Sequence, residues 1–233
     1  MTEKIPLLLL PGLLCDRRLW APQMASLADI AEPIVADLTC DDSIEAMAQW
    51  ALVAAPPRFA VAGLSMGGYV AQEIMCQAQE RVTRLALLDT SARADAPEQR
   101  RRRHDLIALS QRGQFHGVTQ HLLPQLIHPD RLGEASLVRI IREMAESIGV
   151  EGFRRQEAAI LARRDGRSDL TRITVPALVL CGREDLLTPP ALAEEMAALI
   201  PSAELHIVEH CGHITTLERP GEVSGALRQW LMR

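Results

Sequence analysis

Long apolar runs are missing from this 233-residue sequence. None reaches the roughly 18 residues that a membrane-spanning helix needs, so no transmembrane segment is expected. Ile5 to Leu10, following Lys4, mimics the apolar stretch of a secretory leader. Pro11 and Gly12 interrupt it, no small-residue cleavage site follows, and Leu14 is too large for a lipoprotein-type cut before Cys15. Lysine is nearly absent, Lys4 being the only one, and the net charge is −5. That balance leaves no electrostatic footprint for nucleic acid or an anionic membrane; the arginine bias is assigned no function. Cysteine is sparse and odd in number (Cys15, Cys40, Cys76, Cys181, Cys211), with no C-x-x-C pair. A disulfide framework is therefore not expected, and a reducing cytoplasm is the simplest compartment. No G-x-G-x-x-G or P-loop occurs, so no nucleotide cofactor is implied. Aromatic residues make up only 3% of the chain, so a binding pocket would need aliphatic walls.

What is present is ample material for a core. The chain is 48% hydrophobic and 24% charged, which excludes wholesale disorder and allows one or two domains. Short, nearly continuous apolar runs at Ile5–Leu10, Pro33–Ala36, Phe59–Gly63, Arg84–Asp89, Ala177–Cys181 and Glu204–Val208 read as strands buried on both faces. Helical stretches are expected between them, at Ser43–Ala54, Met66–Gln79, Pro190–Leu199 and Glu222–Met232. The first would be N-capped by Asp42 or Ser43, and the third opens on proline. This alternation predicts an α/β fold, a doubly wound and mostly parallel sheet of about six strands.

The alternation fails between about residues 94 and 169. Leu137, Ile140, Ile141, Met144 and Ile148 share one helical face, as do Val118, Leu122 and Leu126, and no strand is evident. We expect an all-helical cap, residues 94–169, inserted into a core formed by 1–93 and 170–233. Such an insertion would sit above the sheet's carboxyl edge, where ligands bind in open α/β sheets.

Gly63-Leu64-Ser65-Met66-Gly67 is a G-x-S-x-G pentapeptide directly after a strand and before a helix. A serine at such a sharp turn projects from the sheet edge at the positive end of the helix, and flanking glycines relieve the crowding. Serine needs a base, and the base an orienting acid. Asp185 lies just beyond one later strand, and His213 just beyond the next. The order Ser65, Asp185, His213 suits this architecture, because strand ends of one sheet lie side by side.

Together these features resemble the α/β-hydrolase superfamily, in the subgroup with a helical cap. Gly182 to Asp185, followed by Pro189, is similar to the family's G-x-x-D. Gly212-His213 with Glu218 and Pro220 is similar to its G-H-x-x-x-x-E-x-P, and Leu8 to Leu13 with Trp20 resembles its first strand-and-loop motif. The resemblance implies a serine hydrolase acting on a small-molecule carboxylic ester or lactone, with the backbone N–H groups of Leu13 and Met66 as the oxyanion hole. It implies no cofactor and no metal. Pro11 stands where most relatives have histidine, Asp37 to Cys40 lacks their glycine-rich turn, and two edge strands of the larger family sheet are expected to be missing. A lyase or carbon–carbon hydrolase on the same site, like the menaquinone-pathway relatives, is a rival; so is a non-catalytic binding protein.

Asp89 also ends a strand; Asp185 is preferred because it sits in the G-x-x-D frame, which leaves Asp89 as a polar pocket wall or loop cap. Gly212 before His213 favours that imidazole over His210, read as a surface or supporting residue. Cys211 is read as neutral packing. His104, His116, His121 and His128 lack H-x-x-x-H or H-E-x-x-H spacing, so solvated or capping roles are expected. The run Arg100 to Arg103 reads as a solvated helix start; the alternative is a docking patch for an acidic carrier protein or a substrate carboxylate. Leu13, Leu14 and Met66, with Leu, Met, Val and Ile from the cap, are expected to line the pocket.

Overall fold

The computed structural model describes residues 4–113, 117 and 122–233. Six strands, β1 (Ile5–Leu10), β2 (Ala31–Val35), β3 (Phe59–Leu64), β4 (Val82–Leu88), β5 (Ala177–Gly182) and β6 (Ala203–Val208), form one sheet in the order β2-β1-β3-β4-β5-β6. Every pairing is parallel. β3 and β5 are buried at every position, as expected for strands covered on both faces. The helices of the first part are α1 (Ala21–Ser26), α2 (Ile44–Ala54) and α3 (Met66–Ala78). Between β4 and β5 come α4 (Pro97–Gln111), α5 (Leu123–Leu126), α6 (Ala135–Ala162) and α7 (Arg167–Leu170); α8 (Pro190–Leu199), α9 (Thr215–Glu218) and α10 (Pro220–Leu231) complete the chain. Val118, His116 and His121 lie outside the described residues.

Local chemistry sets the helix starts. The Ser43 hydroxyl accepts the Ala46 N–H at 3.1 Å and caps α2, while Pro190 opens α8 where a missing N–H costs nothing. The alternating faces of the strands bury two apolar clusters. One joins Leu8, Val61 and Leu87 to α2, α3 and α8. The other joins Leu9, Ala62 and Leu88 to α10 and to Leu137, Ile141 and Met144 of α6. Among the described residues no helix is long and apolar enough to cross a membrane.

Candidate active site

The carboxyl ends of β1, β3, β4, β5 and β6 lead to Gly12, Ser65, Asp89, Asp185 and His213 respectively, so side chains far apart in sequence meet at one sheet edge. Ser65 occupies the turn between β3 and α3 with φ 55°, a left-handed conformation that side chains other than glycine rarely adopt. Neighbouring glycines permit this turn. A Cβ at Gly63 would overlap the Gly67 carbonyl, and one at Gly67 would overlap the carbonyl of Leu10. Gly67→Ala is accordingly expected to destabilise the fold by about 3 kcal/mol, read as a lower urea midpoint. An unchanged midpoint would mean that β1 and α3 can separate freely.

His213 Nε2 lies 2.9 Å from Ser65 Oγ, and Asp185 Oδ2 lies 2.8 Å from His213 Nδ1. Asp185 is itself fixed. Its Oδ1 accepts the backbone N–H groups of Leu187 at 2.8 Å and Thr188 at 2.9 Å, and its Oδ2 accepts the Thr188 hydroxyl at 2.7 Å. An acceptor-saturated Oδ1 leaves Oδ2 for the imidazole N–H, so the tautomer with an unprotonated Nε2 faces the serine. Burial pushes the Asp185 carboxyl up, but His213 and the Thr188 hydrogen bonds outweigh it and hold the pKa below the usual aspartate value. Burial works to lower His213, yet the facing Asp185 carboxylate prevails and raises its pKa above 6.5.

Asp89 is fully buried and does not line the cavity, which corrects its expected place in the pocket wall. Its Oδ1 accepts the Gly182 N–H at 3.0 Å and its Oδ2 the Thr215 hydroxyl at 2.5 Å. It thus ties the ends of β4 and β5 to α9, the loop-cap alternative. Burial and the charge of Asp185 push its pKa well up. The two neighbouring carboxyls are thereby driven in opposite directions, Asp89 upward and Asp185 downward.

Leu13 and Leu14 line a cavity of about 1170 Å³ that reaches Ser65 and His213. Leu14 has φ 58°, and its N–H donates to the Gln156 side-chain oxygen at 3.0 Å. Gln156, buried on α6, donates in turn to the Leu38 carbonyl at 3.1 Å. The backbone N–H groups of Leu13 and Met66 donate to no protein acceptor among the described residues. The Met66 side chain is buried in the core beneath the sheet edge instead of facing the cavity; a residue pointing into α3's inner face cannot also line the mouth. The helices between β4 and β5 contribute Leu106, Leu109, Leu126, Ile141, Phe153 and Ile160, and among the described residues neither Met nor Val; Met144 turns into the second core cluster.

The arginine run does not form one free patch. Arg103 binds Asp95 at 2.6 Å and Glu157 at 2.7 Å, Arg101 pairs with Glu98, and Arg100 donates to the Leu161 carbonyl. Arg163 completes the cluster, bonding Asp95 at 2.7 Å and stacking on Tyr69 at 4.1 Å. These buried pairs fasten α4 and α6 to the loop after β4. Glu218 makes a second fastening: its carboxylate accepts the N–H groups of Gly212 at 2.9 Å and His128 at 2.7 Å. Burial raises its pKa to about 7, against those hydrogen bonds. The thiol of Cys211 is buried and shifted upward by that burial, as a packing role requires.

Gln156 and Thr188 escape a reading of the sequence. Nothing in a helical glutamine marks it as the partner of a distant loop N–H, whereas a threonine three residues after an aspartate is a recurrent turn signal.

Known proteins share this architecture. A thermophilic esterase from Thermogutta terrifontis, solved with malate bound, is 29% identical and superposes with a TM-score of 0.92 over 99% of this chain and 90% of its own. The enol-lactonase from Burkholderia xenovorans LB400 is 26% identical, with a TM-score of 0.89 over 99% of this chain and 92% of that one. The pimeloyl-acyl-carrier-protein methyl ester esterase of Nitrosomonas europaea is 30% identical over 189 residues, 77% of this chain and 73% of that protein. Residues 7–226 match the model of the alpha/beta hydrolase family, to which this chain belongs.

Proposed function

We propose that this chain is a serine hydrolase of carboxylic esters or lactones. The observation that carries the reading is the continuous relay Ser65–His213–Asp185, with contacts of 2.9 and 2.8 Å. Ser65 Oγ attacks the acyl carbon as its proton passes to His213 Nε2. The carbonyl electrons move to oxygen, held by the Leu13 and Met66 N–H groups, which can contribute roughly 3–4 kcal/mol each. Collapse breaks the bond to the alcohol oxygen, which leaves with the proton from His213. Water then repeats the sequence and frees the acid and Ser65. Asp185 stays ionised throughout and stabilises the imidazolium.

The cavity's leucine and isoleucine walls suit an apolar acyl or alcohol part, and a volume of about 1170 Å³ does not restrict that part to a small one. Esterase and lactonase names among similar proteins favour this chemistry. The residues 94–169 would act as the cap over that cavity. Five free cysteines fit a cytoplasmic setting. Carrier docking at Arg100–Arg103 finds support in the acyl-carrier substrate named for the Nitrosomonas europaea relative and in Arg102 at the cavity, while Arg103 is already held by Asp95 and Glu157.

The test is a series of p-nitrophenyl esters of graded chain length, assayed from pH 5 to 9. His213 must be neutral to accept the serine proton, so kcat/KM should be low in acid and rise through an inflection above 6.5, the direction in which Asp185 moves the imidazole. The charged pair stabilises the fold in the opposite sense: its contribution is complete below about 6.5 and is lost as pH rises through the raised value. A flat rate profile would contradict His213 as base.

A further inference from the structure

Outside the cavity, three loops bring together two imidazoles and a carboxylate. His128 follows α5, Glu184 precedes Asp185 after β5, and His210 lies between β6 and α9. One donor atom from each lies within 4.8 Å of the other two. His128 Nε2 is 4.0 Å from Glu184 Oε2, and the two rings meet edge to face with centroids 5.9 Å apart.

We propose that His128, Glu184 and His210 form a binding site for a divalent transition-metal ion of the zinc class. Two imidazoles and one carboxylate match the donor preference of Zn²⁺ and Co²⁺ and disfavour Mg²⁺ or Ca²⁺, which take oxygen. Bonds of about 2.05 Å at tetrahedral angles put ligand atoms roughly 3.4 Å apart. The trio therefore has to close by about an ångström, through rotation of the exposed His210 ring and a shift of the half-buried Glu184 carboxylate toward His128.

Each ligand is already held. Glu184 Oε2 accepts the Cys211 N–H at 2.9 Å, and the Glu184 N–H donates to the Cys211 carbonyl at 2.9 Å. His128 is buried, and its Nδ1 accepts the Asp130 N–H at 3.2 Å with Asp130 Oδ2 3.6 Å away. A metal on Nε2 would require the ring proton to move to Nδ1 and that carboxylate to turn and accept it, as carboxylates do beside metal-bound imidazoles. His210 sits at φ 51°, and Arg219 grips its carbonyl at 2.8 and 3.0 Å. The relay at Ser65 makes no use of that strained backbone. Exposure of His210 leaves a coordination position open to water.

The ion would lock the inserted segment onto the catalytic loop. Leu126 already accepts the N–H groups of His213 and Ile214 at 3.0 and 3.1 Å, and a metal on His128 and His210 would close the same seam from outside. Spacing along the sequence conceals the site, because its three ligands come from three separate loops.

Chelator-treated, dialysed full-length protein should bind one Co²⁺ per chain, seen by visible absorption, and Zn²⁺ should displace it. Zn²⁺ alone should raise Tm by several degrees at saturation. His210→Ala and Glu184→Gln should each weaken Co²⁺ binding by about tenfold or more and abolish the Zn²⁺ effect on Tm, whereas His213→Ala should retain both. No stoichiometric binding, binding indifferent to His210→Ala, or binding lost only in His213→Ala would each overturn the assignment. His210 is exposed, so its replacement does not depend on repacking a core.

Discussion

Ser65→Ala is expected to lower kcat toward its best ester by about 10⁶-fold, the loss seen when one member of a serine–histidine unit is removed. The size follows from the division of labour in the relay. Without Oγ there is nothing 2.9 Å from His213 Nε2 to attack the acyl carbon, and water in its place lacks the fixed geometry. What remains is binding and backbone stabilisation of the oxyanion. Folding should be little affected, because alanine occupies the same strained φ of 55° as serine. Circular dichroism and Tm measured alongside would separate this from unfolding. A residual kcat within tenfold of the original protein would remove Ser65 from the chemistry.

The second large effect belongs to Asp185→Asn, expected to reduce kcat by roughly 10⁴-fold with little change in KM, as the wrong imidazole tautomer does in serine proteases. The surrounding hydrogen bonds decide which way the new amide faces. Two backbone N–H groups, from Leu187 and Thr188, point at Oδ1 and will hold the amide oxygen there. Its NH₂ then faces His213 Nδ1, which must become an acceptor, so Nε2 carries the proton and cannot take one from Ser65. Removal of the charge that raises His213 should also move the pH inflection downward. Asp89→Asn is the comparison: its partners are Gly182 and Thr215, so stability should suffer more than turnover. A larger loss of kcat in Asp89→Asn than in Asp185→Asn would reassign the acid.

Much of this was legible beforehand. β1 and α8 coincide with the predicted Ile5–Leu10 and Pro190–Leu199, because apolar runs and a proline start carry their own boundaries. β2 begins earlier than predicted, at Ala31. Its first residues include the exposed Glu32, and they are strand only because Ile5 and Pro6 of β1 pair with them, a long-range fact. That Ser65, Asp185 and His213 meet is legible in the sequence because each follows a strand whose end the sheet brings to one edge. Their supports are not: the Gln156–Leu14 bond spans 142 positions, and only tertiary structure brings such partners together. Arg100 to Arg103, expected as a solvated helix start, matches that reading at Arg100, Arg101 and Arg102; helical rotation turns Arg103 alone inward to Asp95 and Glu157.

The most direct test of the account is covalent labelling with a fluorophosphonate followed by peptide mass spectrometry. Activation of Ser65 by His213 predicts one adduct per chain, on Ser65, forming faster as pH rises through the His213 inflection, with ester hydrolysis lost in proportion. An adduct on another residue, or persistent hydrolysis by fully labelled protein, would contradict it.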